Sequence, residues 1–158
     1  MCGILALYNP RTDVAKDIYD GLIQLQHRGQ DAAGISSLDS SIMHLHKDTG
    51  LVTEVFKKTK SKINLTGNLG IGHVRYPTAG NNDVNDSQPF FTSNPVNIAL
   101  AHNGTLTNSD SIREILIKTH FCQFNTSSDS EALLNLFAFE LYKTNFRRLT
   151  KNHILKAL

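Results

Sequence analysis

The chain begins with GILALY, an apolar run of strand length, and the NPRTD after it carries turn chemistry. The period then changes. From Val14 to Gln26 the apolar residues Val14, Ile18, Leu22 and Leu25 recur at helical spacing. Gly29 follows, where a left-handed C-terminal cap is expected. AGISSL and SIMHLHK predict two paired strands turning at DS. NLGIGHVRY and VNIALAHN predict two more, joined by the polar loop AGNNDVNDSQP. Asn108 is placed to cap a helix carrying Ile112, Ile115 and Leu116. Ser128 with Glu131 three residues on predicts a capping box that opens a helix through ALLNLFAFEL. That helix is apolar nearly all round, which predicts burial between layers. LTKNHILKAL reads as a last amphipathic helix.

Interspersed helices and short turns suit antiparallel pairing, so the predicted class is α+β with antiparallel sheet. Five or six strands are few for the layers these helices imply. The expectation is therefore a chain incomplete at its C-terminal end.

Composition narrows the function classes. The 158 residues fit one domain, and 40% hydrophobic with 19% charged content reads as globular. No apolar run approaches the ~20 residues of a membrane span, and no secretory leader is legible. Two cysteines, Cys2 and Cys122, are too few for a disulfide framework or a cluster site. Cys122 is expected as a buried small hydrophobe. A formal charge of +2 gives no case for nucleic acid. Lys143, Arg147, Arg148, Lys151 and Lys156 read as a solvated face. The expected setting is the cytoplasm.

Candidate chemistry gathers in five stretches: MCGI, QHRGQDAAGI, GHVRYPTAG, AHNGTLTN and TSSDSE. With Met1 removed, Cys2 would carry a thiol and a free α-amine on one residue, a nucleophile and a base together. Arg75 and Asn103 each follow a predicted strand, where a rigid scaffold presents functional groups. Arg75 offers a planar fork for a carboxylate, or a surface ion pair. Asn103-Gly104 reads as a hairpin turn or as paired donors to an oxyanion. Asp129 either favours its helix dipole or holds an ammonium group. His102 opens a rival route, a Cys2-His102-Asp31 triad. His44 and His46 share a strand face, but no third ligand has a readable spacing, so no metal site is expected.

Taken together and in this order, the five stretches resemble the glutaminase half of the amidophosphoribosyltransferases, over essentially all of the chain. The resemblance implies an N-terminal nucleophile hydrolase fold, a four-layer αββα sandwich with two antiparallel sheets. It implies that Cys2, freed of Met1, attacks the glutamine side-chain amide with its own α-amine as base. The two groups have unperturbed pKa values of ~7.7–8.0 and ~8.5, so the exchange is nearly balanced. By the same resemblance Asn103 and Gly104 form the oxyanion hole, Arg75 grips the α-carboxylate of glutamine and Asp129 its α-ammonium. His102 becomes structural. Tyr76 and Thr78 belong to a lid over residues 76–85, and Arg28 supports the site.

The resemblance also implies a phosphoribosyltransferase portion, with magnesium at a phosphoribosyl pyrophosphate site. No acidic pair leading into a Thr- and Gly-rich loop is legible, so the whole chain, 1–158, is assigned to the glutaminase domain without cofactor. Three readings follow: the glutaminase half of an amidophosphoribosyltransferase, a glutaminase serving a separate synthase, or a non-catalytic remnant acting by association. Exposed sheet edges favour a homo-oligomer or a partner chain.

Overall fold

A computed structural model describes residues 1–57, 65–76, 83–120 and 122–158. They divide into two compact units, residues 1–90 with 99–104 and residues 91–98 with 105–158.

The first unit is built on a four-stranded sheet in the order β1-β4-β2-β3, with β1 Gly3–Tyr8, β2 Ala32–Asp39, β3 Ile42–Thr49 and β4 Leu69–Arg75. All three pairings are antiparallel. The register sets Gly3 opposite Val74 and Ala33 opposite Val74, so these side chains share one face. On that face lies α1, Ala15–Leu25. Its predicted stripe is the one buried: Val14, Ile18 and Leu22 are 1% exposed or less and pack with Ala33, Ile35 and Val74. Each such side chain contributes roughly 1.5–3 kcal/mol.

The helix lies close because β4 offers glycine beneath it. A Cβ on Gly72 would sit 2.5 Å from Ile18 Cγ2 and 3.0 Å from Leu22 Cδ1. A short helix, α2 (Val52–Lys57), closes the core with Val52, Val55 and Phe56. It was not expected from the sequence: six residues are too few to show a period.

Gly29 does not form the expected left-handed cap. The chain leaves α1 through a 3₁₀ turn, Gln26–Arg28, and Gly29 is extended, with φ −162° and ψ 126°. Glycine is needed for close approach instead, since its Cβ would fall 2.6 Å from the Arg75 carbonyl carbon and 2.7 Å from that of Val74. Gln26 reinforces the bend by accepting from Val52 N–H at 2.6 Å.

The strand expected over VNIALAHN is short: β6 covers Ile98–Leu100 and pairs with β5, Phe90–Thr92, in a two-stranded sheet. The described residues are thus α+β, as the sequence predicts, with the two sheets that the resemblance implies.

The second unit carries α3 (Ser109–His120), α4 (Asp129–Lys143) and α5 (Lys151–Ala157). Asn108 starts α3 with its carbonyl accepting from Ile112 N–H at 3.1 Å. α4 buries Ala132, Leu134, Ala138 and Leu141. A reciprocal cap between Thr150 and His153 opens α5. Cys122 departs from the sequence expectation. It is half-buried and lines a surface groove with His120, Gln123 and Tyr142, although burial still pushes its thiol pKa up. The basic residues from Lys143 to Lys156 are exposed, as expected of a solvated face.

Candidate active site

Antiparallel register brings the ends of the first unit's sequence stretches to one place. Cys2 precedes β1, whose partner β4 ends at Arg75, so the thiol arrives beside the chain leaving β4. The Tyr76 N–H donates to Cys2 Sγ at 3.3 Å. The Cys2 carbonyl accepts from Arg28 Nε at 3.2 Å and from Asn103 Nδ2 at 3.1 Å. Four separate stretches therefore meet at a single residue. Cys2 is half-buried and Asn103 exposed.

Beneath lies a layer of buried polar groups. His73, on β4, is fully buried, and its Nε2 lies 3.1 Å from Asn103 Oδ1. Burial lowers its pKa from 6.5 to about 4. The hydrogen bond to Asn103 opposes this shift, and the nearby positive charge of Arg75 adds to it. Arg75 Nη1 stands 3.4 Å from Asp31 Oδ2, with both side chains largely buried. Backbone bonds fix that pair, because Asp31 N–H donates to the Arg75 carbonyl at 3.0 Å. Gln88 holds His102 on both sides: its Oε1 accepts from the His102 N–H at 2.6 Å and its Nε2 donates to the His102 carbonyl at 3.1 Å. The space for Gly104 is set by the same residue, since a Cβ there would meet His102 Nε2 at 2.6 Å.

Asp129 belongs to the second unit, where local contacts place it. Its Oδ2 accepts from Leu106 N–H at 2.7 Å, and Ser130 Oγ donates to its Oδ1 at 3.2 Å. The preceding loop is clamped from two sides. Arg113 donates to the carbonyls of Thr126 and Ser128, and its guanidinium also lies 4.4 Å from the Phe124 ring centroid. Glu131 accepts from the N–H groups of Asn125 and Thr126 at 2.9 and 2.8 Å and from Thr126 Oγ1 at 2.8 Å.

The expected capping box is thus only half formed. Ser128 Oγ caps Ser130 N–H at 3.3 Å, but Ser128 N–H donates to Thr126 Oγ1, and Glu131 reaches past it.

Thr78 and most of the expected lid lie outside the described residues; Tyr76 is described and exposed. His44 and His46 have separate duties: one ring nitrogen lies 3.1 Å from Thr66 Oγ1, the other 3.1 Å from the Val55 carbonyl. No cluster of three or more His, Cys, Asp or Glu suited to a metal occurs among the described residues. None of the described helices is long and apolar enough to cross a membrane. Sequence reading did not single out His73 or Gln88 as supports around Cys2 and Asn103, nor Arg113 or Glu131 as braces of the loop before Asp129. His73 lay inside GHVRYPTAG, and a polar residue on an apolar strand was its available signal.

Residues 73–151 match the family described as "Glutamine amidotransferase domain", half of the chain's 158 residues. The chain belongs to that family. Curated relatives of this glutamine amidotransferase domain extend the likeness to the remainder, Cys2 included. The amidophosphoribosyltransferase of Pseudomonas aeruginosa is 44% identical over 158 residues, all of this chain and 31% of that protein. That of Escherichia coli K12 is 49% identical over 148 residues, 93% of this chain and 28% of the relative. The chain therefore spans about a third of the length of the curated relatives it matches. Among solved structures, glutamine phosphoribosylpyrophosphate amidotransferase from B. subtilis, complexed with ADP and GMP, aligns with a TM-score of 0.77. Its identity is 32%, over 99% of this chain and 32% of the other. The likeness supports the sandwich fold implied by the sequence motifs.

Proposed function

We propose that this domain hydrolyses glutamine to glutamate and ammonia with Cys2 as nucleophile. In the amidophosphoribosyltransferase reading, the ammonia passes to phosphoribosyl pyrophosphate in purine synthesis. The observation that carries the proposal is the meeting at Cys2: Tyr76 N–H on the sulfur, and the Asn103 amide on the same residue's carbonyl.

Removal of Met1 frees the α-amine of Cys2. That amine takes the thiol proton as sulfur bonds to the amide carbon of glutamine, and the carbonyl π electrons move to oxygen. The Asn103 amide and the Gly104 N–H receive this oxyanion, each such donor being worth ~100–1000-fold in rate. Collapse breaks the C–N bond, and the ammonium proton of Cys2 leaves with ammonia. Water then attacks the thioester, its proton taken by the α-amine, and the C–S bond breaks to release glutamate and restore the thiol.

Arg75 binds the α-carboxylate of glutamine, and Asp129 its α-ammonium. The ion pair with Asp31 does not forbid the first role, because a guanidinium has five N–H donors and can serve two carboxylates. Asp31 is in turn committed to Arg75, which favours the α-amine over a triad through His102 as the base. Magnesium, which the resemblance attaches to the phosphoribosyl pyrophosphate site, finds no acidic cluster among the described residues, and no step uses it. Association with a second copy or a partner chain belongs to the same proposal, supported by the outer edges of β1 and β3, which pair with no other strand among the described residues.

The test is glutamate and ammonia release from glutamine, compared with Cys2→Ala. Equal release of both products, lost in the variant, is expected; release that persists in the variant would sink the assignment.

A further inference from the structure

The Cys2 carbonyl can only accept, so the Asn103 atom 3.1 Å from it must be the amide nitrogen. That fixes the flip of Asn103 and turns Oδ1 toward His73. An amide oxygen can only accept as well, so His73 Nε2, 3.1 Å away, must carry a proton. His73 Nδ1 is buried and has no hydrogen-bond partner among the described residues. A proton there would leave a buried donor unsatisfied, beside the positive charge of Arg75 on the same strand. The ring is therefore the neutral Nε2–H tautomer, and burial beside the Arg75 cation keeps it so.

We propose that His73 is the positioning residue of the oxyanion site: its Nε2–H, held inside the sheet, locks the Asn103 amide with nitrogen toward Cys2 and oxygen away. This rests on the glutaminase reading above. Asn103 is exposed, and without the lock its amide can turn over. Turned, it would present oxygen to the Cys2 carbonyl and to the developing oxyanion, where like partial charges repel. The sheet supplies the rigidity. His73 sits opposite Ile4 and Gly34 in register, so its position is set by two strands. Arg75, two residues along on the same face, keeps a separate partner in Asp31. The lock acts on the transition state alone, because the oxyanion does not exist in bound glutamine.

Two measurements on the intact protein test this. Nitrogen-15 spectra of the histidine rings should show His73 as neutral Nε2–H from pH 7.5 down to 5.5. An Nδ1–H tautomer, or protonation within that range, would overturn the proposal. In kinetics, His73→Leu should lower kcat for glutamine about 10–100-fold, less than loss of a direct donor, with KM within about twofold. His73→Gln, which can set an amide N–H where Nε2–H lies, should recover most of kcat. Equal loss in both variants would reduce His73 to packing, and full activity in both would remove it from the site. If the wild-type protein shows no Cys2-dependent release at all, the glutaminase reading fails and the catalytic role of His73 falls with it. The ring spectra would still report whether the lock exists.

Discussion

The two units hold their candidate substrate-binding groups by different means. In the first, Cys2, Arg28, His73 and Asn103 come from positions up to 101 residues apart and meet where β1 begins beside the end of β4, joined by side-chain hydrogen bonds. In the second, Asp129 is held over shorter separations: Leu106, 23 residues away, donates to it, and Arg113 and Glu131 brace the preceding loop across at most 15 residues. Register is cooperative, because one strand displaced moves every group it carries. A clamp is local and can open while its helix stays folded. Damage should therefore spread widely in the first unit and stay confined in the second.

Gly29→Ala is the harshest way to test this contrast. The added methyl meets backbone at 2.6–2.7 Å, which cannot yield as a side chain can. A loss of about 3 kcal/mol or more is expected, together with displacement of the Arg75 end of β4. Denaturant unfolding followed by a probe in β4 measures both.

Glu131→Ala removes the buried acceptor of several loop N–H and hydroxyl groups, at about 2–3 kcal/mol. Faster hydrogen exchange at Asn125 and Thr126, with α4 still protected through Leu134–Leu141, is the expected signature of a local clamp.

Acid sharpens the comparison from the other side. His73 titrates near 4 when folded and near 6.5 when unfolded, so the unfolded chain takes up its proton first. Stability is complete above about pH 6.5 and falls as pH drops toward 4, by as much as about 3 kcal/mol from this group. His73→Gln should flatten that part of the pH profile, and unfolding free energies at pH 7, 5.5 and 4.5 would show it.

The smallest effect belongs to His102→Asn. Its backbone is held by Gln88 whatever the side chain, so most glutaminase activity should remain. Near-total loss in a folded variant would restore the triad through His102.

What the sequence could and could not show follows the same division. The stripe Val14, Ile18, Leu22 was legible because one helix face carries it whole. Strands β1 to β4 were legible as runs of strand length, helped by turn residues after β1 and between β2 and β3. α2 and β5 escaped because six and three residues hold no period. Gly29 illustrates a deeper limit: a positive φ and a close backbone approach both call for glycine, and only the fold says which. Ser128 and Glu131 had the spacing of a capping box, yet the carboxylate goes to Asn125 and Thr126, since Thr126 already serves the Ser128 N–H. His73 was present in a recognised stretch without a visible role. Its partner lies 30 residues away across the fold, and no local pattern encodes that meeting.

The most direct measurement couples intact mass to turnover: glutamate release by protein whose mass lacks Met1, set against protein in which Met1 is retained. The processed form should be active and the retained form nearly inert, because an amide at Cys2 cannot take the thiol proton. Equal turnover by the two forms would contradict a nucleophile that acts as its own base.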